Sequence, residues 1–276
     1  MLARVRAHLP SLQTADARVA QAILDQPTVV IYKSASELAD LAGTSSATVV
    51  RCVQKIGFKG FHDFKLALAQ ELSAIPVVSA APADADPRTA VLAQVTAAGA
   101  ESVRDAAALV DPDAFAASVA ALASARRVLF LGVGTSAPLC QDAAYRFTTI
   151  GVAAEAPADV HVQHVHARLL GPEDVSVTVS HSGSTRESLE ATRAAATAGA
   201  TTIAITSFAR SELTELVDHV ILAGTRELSF RLEAMASRLA HLALLDSLLV
   251  AVALRDEARA QAALEAYSDV LGEHRL

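Results

Sequence analysis

Within residues 175–190, VSVTVSHSGSTRESLE, the hydroxyls of Ser180, Ser182, Ser184 and Thr185 surround one glycine, Gly183. The run before them is apolar and β-branched, and the run after them is polar and helix-compatible. A buried strand would therefore hand over to a helix here. The first N–H groups of a helix lack internal partners and carry the positive end of its dipole, so the chemistry this arrangement suits is the holding of an anion. Gly183 lets backbone come close, and the hydroxyls add donors without adding charge. Residues 128–136, VLFLGVGTS, repeat the design with Gly132, Gly134, Thr135 and Ser136. Two such loops at the carboxyl ends of parallel strands would face one crevice.

The elements that must present both loops follow from the hydrophobic pattern. From Arg127 onward, strand-like runs at 128–133, 152–156, 175–180, 202–206 and 220–223 alternate with helical runs at 139–150, 160–170, 186–198 and 212–217. That alternation predicts a parallel sheet covered on both faces. Gly151, Gly171 and Gly199 each follow a helical run, where a left-handed cap is wanted. Ala-rich helices at 89–110 and 113–123 would pack before the sheet, and helices at 232–254 and onward to about 271 would follow it. The apolar stretch 239–254 contains His241 and Asp246, so it is read as a buried helix that falls short of the roughly 20 clean residues a bilayer span needs.

Together the two loops resemble those of the sugar isomerase (SIS) domain, in which a glycine-rich loop ending in Ser and a second SxSGxT loop grip the phosphate of a phosphosugar. Gly132, Gly134, Thr135 and Ser136 match the first loop; Ser180, His181, Ser182, Gly183, Ser184 and Thr185 match the second. The resemblance implies that Thr135, Ser136, Ser180, Ser182, Ser184 and Thr185 bind the phosphosugar. Glu233, in the run EAMASR at 233–238, is a further ligand candidate. Lys and Arg are scarce in these loops, so affinity would come from neutral donors and helix ends.

Other readings of the same residues are weaker. Gly132-x-Gly134 lacks the third glycine of a dinucleotide fingerprint, and neither loop carries a Walker lysine. His161, His164 and His166 invite a metal, but only the first two share a helical face and no carboxylate or cysteine completes the set. An isomerase would need a base above the sugar; His181, Glu187, Glu233 and His241 are available, yet none lies in a catalytic pattern. No cofactor is expected.

The N-terminal segment reads differently. Residues 14–25 form a first helix with Thr14 as cap and Pro27 as stop, and Ser34-Ala35-Ser36-Glu37 is a capping box for a second. Gly43 makes the turn, and Ser45 caps a third helix reaching Lys55. Val49, Val53 and Ile56 would face inward. Ser46, Ala47, Val50, Arg51 and Gln54 would face outward, with Thr48 near the start and Lys55 near the end. Small residues let a helix enter a groove, while Arg51 and Lys55 could reach phosphates or a guanine edge. Short helix pairs around a glycine also occur in proteins that never touch DNA. The run 34–72 resembles the winged or extended helix-turn-helix of the RpiR family of bacterial regulators, most specifically in Ser45-x-x-Thr48-Val49-Val50-Arg51 and Gly57-Phe58-Lys59-Gly60-Phe61. The resemblance implies DNA contacts from Ser45, Ser46, Ala47, Thr48, Arg51, Gln54, Lys55 and Lys59.

The 276 residues carry a net charge of −7, unevenly spread. Residues 1–76 hold eight Lys and Arg against six Asp and Glu, and the remainder holds fifteen against twenty-four. A weakly basic module on an acidic one is compatible with DNA binding at one end only. Two distant cysteines, Cys52 and Cys140, suit a reducing compartment, and the N-terminus lacks a secretory pattern, so the cytoplasm is the expected location. The expected organisation is an all-α helix-turn-helix domain over 1–76, a Pro-rich linker over 77–88, and an α/β domain over 89–276 with a central parallel sheet of SIS, flavodoxin-like type. The expected function is a DNA-binding transcriptional regulator controlled by a sugar phosphate, not an enzyme. Its expected partners are a double-stranded DNA operator, the sugar phosphate and a second copy of itself, as dimer or tetramer through the SIS domain, with no membrane. A sugar-phosphate isomerase is the alternative, with a metabolite-sensing protein adaptor as a third class.

Overall fold

The computed structural model describes residues 1–31, 33–74, 87–224 and 235–274. Among the described residues, six α-helices come first, with a 3₁₀ turn over Leu9–Ser11 after the first: α1 (Leu2–His8), α2 (Thr14–Asp25), α3 (Pro27–Val30), α4 (Ala35–Ala42), α5 (Ser46–Lys55) and α6 (Phe61–Ala74). Both halves of the capping box form at α4, where Glu37 N–H donates to Ser34 Oγ at 3.2 Å and Ser34 N–H donates to Glu37 Oε2 at 2.7 Å. Gly43 ends α4 in the left-handed region at φ +60°, and the Thr48 N–H donates to Ser45 Oγ to start α5. Val49, Val53 and Ile56 enter a core with Val19, Ile23, Leu38 and Phe64, as their spacing requires. Three details differ from expectation. Helix α1 is additional, and its seven residues lack a side-chain cap. Gln13, not Thr14, occupies the N-cap of α2 and makes no side-chain bond. Pro27 opens α3 as well as following α2, because its missing N–H is not needed at a first helical position.

The second core is built on a parallel sheet. Helices α7 (Pro87–Leu109) and α8 (Pro112–Ser124) lead into β1 (Val128–Leu131), α9 (Ala137–Thr149), β2 (Ala154–Glu155), α10 (Val160–Arg168), β3 (Val175–Ser180), α11 (Arg186–Thr197), β4 (Thr201–Thr206) and β5 (His219–Leu222). Helices α12 (Met235–Arg255) and α13 (Glu257–Glu273) follow. The sheet order is β2-β1-β3-β4-β5, all parallel, which is the flavodoxin-like arrangement. Every residue of β1 and β3 is buried, as a sheet covered on both faces demands.

Segment 212–217 was expected as a helix but holds a single 3₁₀ turn, Leu213–Glu215; the Leu213 N–H is drawn instead to the carbonyl of Gly183. Gly151 and Gly199 take positive φ, whereas Gly171 does not; its N–H serves the buried carboxylate of Asp174. The expectation that the late apolar stretch is too short for a span is corrected. Ala236–Arg255, with mean hydropathy 1.6, is long and apolar enough to cross a membrane. In this fold it packs against α7, α8 and α9, and it carries the buried Ser237 and His241. Residues 75–86 lie outside the described residues, so most of the expected linker does too.

The two cores touch. Arg6 Nη1 lies 3.2 Å from Asp105 Oδ2 on α7, and the Ala209 N–H, in the loop after β4, donates to the Ala7 carbonyl of α1 at 3.2 Å.

Candidate ligand crevice and DNA-reading helix

The chain runs from β1 through α9 to β2 on one side of β1, and from β3 through α11 to β4 on the other. The carboxyl ends of β1 and β3 therefore flank the switch point of the sheet, where ligands of open α/β folds bind. Both hydroxyl-bearing loops leave the sheet there. After β1, a 3₁₀ turn over Gly134–Ser136 leads directly into α9, leaving Thr135 exposed and Ser136 buried. A Cβ at Gly132 would meet Cys140 Sγ at 2.6 Å, so only glycine lets the loop pass over α9. The loop is also braced by Gln163, whose amide donates to the carbonyls of Gly132 and Pro157 at 3.0 and 2.8 Å.

After β3, the buried Ser180 Oγ accepts the Gly183 N–H at 3.1 Å, which spends this hydroxyl's acceptor on loop shape. Gly183 stands at φ +62°, and a Cβ there would collide with Ser211. Ser182 and Ser184 are exposed and bonded to each other's backbone. Thr185 occupies the N-cap of α11 without a side-chain capping bond, so its hydroxyl and the first N–H groups of α11 face the same end of the helix. Thr135, Ser136, Ser182, Ser184 and Thr185 are thus gathered at the mouths of adjacent strands, with Ser180 beneath them. Glu233 lies outside the described residues.

Below the second loop runs a polar chain. His181 Nδ1 lies 2.8 Å from Ser207 Oγ and 3.0 Å from Ser237 Oγ, and Ser207 Oγ lies 3.1 Å from His241 Nε2. Ser207, Ser237 and His241 are buried. Burial, reinforced by the neighbouring His181, pushes His241 down to about 3, so it is a neutral imidazole at neutral pH. Phe208 packs its ring 5.3 Å from that of His181. Ser207, in the loop after β4, carries no local signal in the sequence, and Ser237 stands as a polar position in the apolar run of α12; both join His181 only through tertiary folding. Of the three-histidine run, His166 Nδ1 lies 3.0 Å from Glu155 on β2 while His161 is exposed.

On α5, Ser46, Ala47, Arg51, Gln54 and Lys55 are exposed, as is Lys59 beyond it. Thr48 is not: it turns inward, 7% exposed, with its Oγ1 3.0 Å from Ser45 Oγ. The sequence puts Thr48 near the helix start rather than on the outward face, and the structure sets it beneath that face, beside the cap Ser45. Gln54 donates to the Lys59 carbonyl at 3.4 Å, and the Lys59 N–H donates to Asp63. Arg51 and Lys55 both reach the buried Asp16 of α2.

A three-layer α/β domain with a parallel SIS-type sheet, preceded by a helix-turn-helix, defines a class of DNA-binding regulators built on a SIS domain. Residues 1–75 match the helix-turn-helix domain of the rpiR family, and residues 121–251 match the SIS domain. The chain is 32% identical over 277 residues to an uncharacterized HTH-type transcriptional regulator of Caldanaerobacter subterraneus subsp. tengcongensis, covering 100% of this chain and 98% of that one. The Vibrio vulnificus NanR protein, solved in complex with ManNAc-6P, is 26% identical with a TM-score of 0.64, covering 100% of this chain and 99% of that one. The sugar isomerase domain of an RpiR transcription factor from Sphaerobacter thermophilus is 25% identical with a TM-score of 0.60, over 65% of this chain and 98% of that one. The chain belongs to the RpiR family of helix-turn-helix transcriptional regulators.

Proposed function

We propose that the crevice between the β1 and β3 loops binds a sugar phosphate and that occupancy is transmitted to the DNA-binding domain through residues 207–211. One observation carries this reading: a short chain segment touches both partners. Ser207 meets His181 and His241, Phe208 packs on His181, the Ala209 N–H holds α1, and Ser211 abuts Gly183. A ligand phosphate settling on Ser182, Ser184 and Thr185 moves the loop that this segment leans on. It thereby favours one seating of the DNA-binding domain over another, which is the requirement for linkage between two ligands. The ManNAc-6P held by NanR supports a phosphosugar as the effector class.

The reading includes action by binding rather than turnover, in the cytoplasm, with the junction between domains at 77–88. It also includes self-association through the SIS domain, so that two α5 helices address two related half-sites of an operator. The HTH-type regulators among the relatives support a role on DNA. The test is a fluorescence-anisotropy titration of duplex DNA from upstream of the protein's own gene, with unrelated duplex as control, repeated with a panel of sugar phosphates including ManNAc-6P. Saturable preference for the upstream duplex, shifted by one compound, is the expected result. Equal, salt-sensitive binding to both duplexes with no response would overturn it, and the same panel would then be assayed for isomerisation.

A further inference from the structure

We infer that Asp16 is a positioning residue for DNA recognition: a fully buried carboxylate on α2 holds the Arg51 and Lys55 side chains of α5 in a fixed attitude toward the groove. The inference rests on α5 being the helix that reads DNA. Asp16 is 0% exposed, and its two oxygens divide the work: Oδ1 lies 3.3 Å from Arg51 Nη2 and Oδ2 lies 2.5 Å from Lys55 Nζ. The two cations are 52% and 38% exposed, so each is anchored at an inner edge while the rest of it meets solvent. A second brace comes from Thr48, whose inward Oγ1 lies 3.5 Å from the same Arg51 nitrogen and is itself tied to the cap Ser45. Asp16 is held in turn, because its own carbonyl accepts the Cys52 Sγ–H of α5 at 3.3 Å and its carboxylate sits in the first turn of α2, at the positive end of that helix.

The physical argument turns on what a carboxylate at this place costs and yields. Burying a charge is expensive, and two partners are more than neutralisation needs. A negative charge beneath a DNA-reading face also repels phosphates, so it weakens nonspecific attraction. What it supplies is order. Guanidinium is a rigid fork with five donors, and fixing one nitrogen fixes the direction of the others, the condition for bidentate reading of a guanine edge. An unanchored Arg51 would still attract phosphate as a charge but would lose its aim.

The test uses the full-length protein and duplexes enriched from a random-sequence pool by repeated selection on the wild type. Affinity for an enriched duplex and for a scrambled one is measured across salt concentrations. A wild type without preference between them would refute the DNA-reading assignment of α5 itself, before any variant is made. Given a preference, Asp16→Asn is expected to lower the ratio of enriched to scrambled affinity on the order of tenfold. Binding to scrambled DNA should stay equal or tighten, since a negative charge has been removed. Arg51→Lys, which keeps charge and loses the fork, should lower the ratio similarly, and adding Asp16→Asn to it should lower the ratio little further. Equal weakening on both duplexes by Asp16→Asn would mark a merely structural role and overturn the inference, as would an unchanged ratio. Should Asp16→Asn fail to fold, Arg51→Lys with Thr48→Val takes its place: an unchanged ratio in both variants would overturn the inference, and a lowered ratio in both supports it.

Discussion

The Ala209 N–H donates to the Ala7 carbonyl at 3.2 Å, tying the loop after β4 to the last turn of α1. Two positions upstream of Ala209, Ser207 bonds to the histidine of the ligand loop; two positions downstream, Ser211 touches Gly183 of the same loop. Under the proposed coupling, the bond between Ala209 and Ala7 is one place, with the Arg6–Asp105 pair, where a change in the crevice would reach the DNA-binding domain.

Phe208→Ala should separate binding from response. The ring stands 5.3 Å from that of His181 and belongs to the segment that carries Ala209, so its removal leaves the hydroxyl loops and α5 intact but slackens the connection. Sugar-phosphate affinity and DNA affinity, each measured alone, should change less than about threefold. The factor by which one ligand alters the other should shrink toward unity from the 5- to 150-fold typical of coupled sites. Retention of the full coupling factor would show that the signal takes another route.

Gly183→Ala should abolish ligand binding. The new Cβ meets Ser211 and the backbone sits at φ +62°, an arrangement that strains a non-glycine residue by roughly 1 kcal/mol or more. Calorimetric titration should show no saturable heat with a sugar phosphate that the wild type binds, and Tm should fall by a few degrees. Wild-type affinity in this variant would remove the second loop from the site.

Thr185→Val is the converse case. The Thr185 hydroxyl makes no capping bond in α11, so thermal unfolding should be nearly unchanged. Ligand affinity should weaken by about 1.5–3 kcal/mol, the range for a hydrogen bond to a charged partner. A large fall in Tm with unchanged affinity would assign this hydroxyl to the fold rather than to the ligand.

Acid should destabilise the α/β domain through His241. Its folded value, about 3, lies below the ordinary 6.5, so the stabilisation of the neutral ring is complete above 6.5 and is lost as pH falls from there toward 3. The contribution is about 1.4 kcal/mol per pH unit in that window. His241→Gln, which preserves a polar contact to Ser207 without a titrating ring, should flatten the stability profile between pH 6.5 and 4 in denaturant melts. An unchanged slope would show that other groups carry the acid limb.

Much of this architecture was legible because the local signals agree with the global fold. The run VSVTVS becomes β3 over the expected residues, and the capping box and Gly43 set α4 and its turn as read. The hydroxyl loops converge because the parallel alternation leaves them no other end of the sheet. What escaped reading has a different physical origin. Ser207 and Ser237 lie 26 and 56 positions from His181, so no window of sequence displays their contact. The inward turn of Thr48 puts it on the face of α5 that carries the buried Cys52 four residues on, with its hydroxyl against Ser45. The anchoring of Arg51 and Lys55 depends on a carboxylate 35 and 39 positions upstream, which sequence alone presents as an ordinary first-turn acid.

The polar chain under the ligand loop closes only with Ser237 and His241 of α12, whereas the core of α1–α6 is complete by Ala74. During translation the operator-reading half thus emerges whole long before the sensing half is sealed. A nonsense mutation between codons 124 and 237 would spare that earlier core but strip away both the sensor and the self-association proposed through the SIS domain, leaving a single α5 helix that meets DNA without response to a sugar phosphate. In a genetic screen, such truncations should cluster in that interval as alleles whose target expression no longer changes with the sugar phosphate.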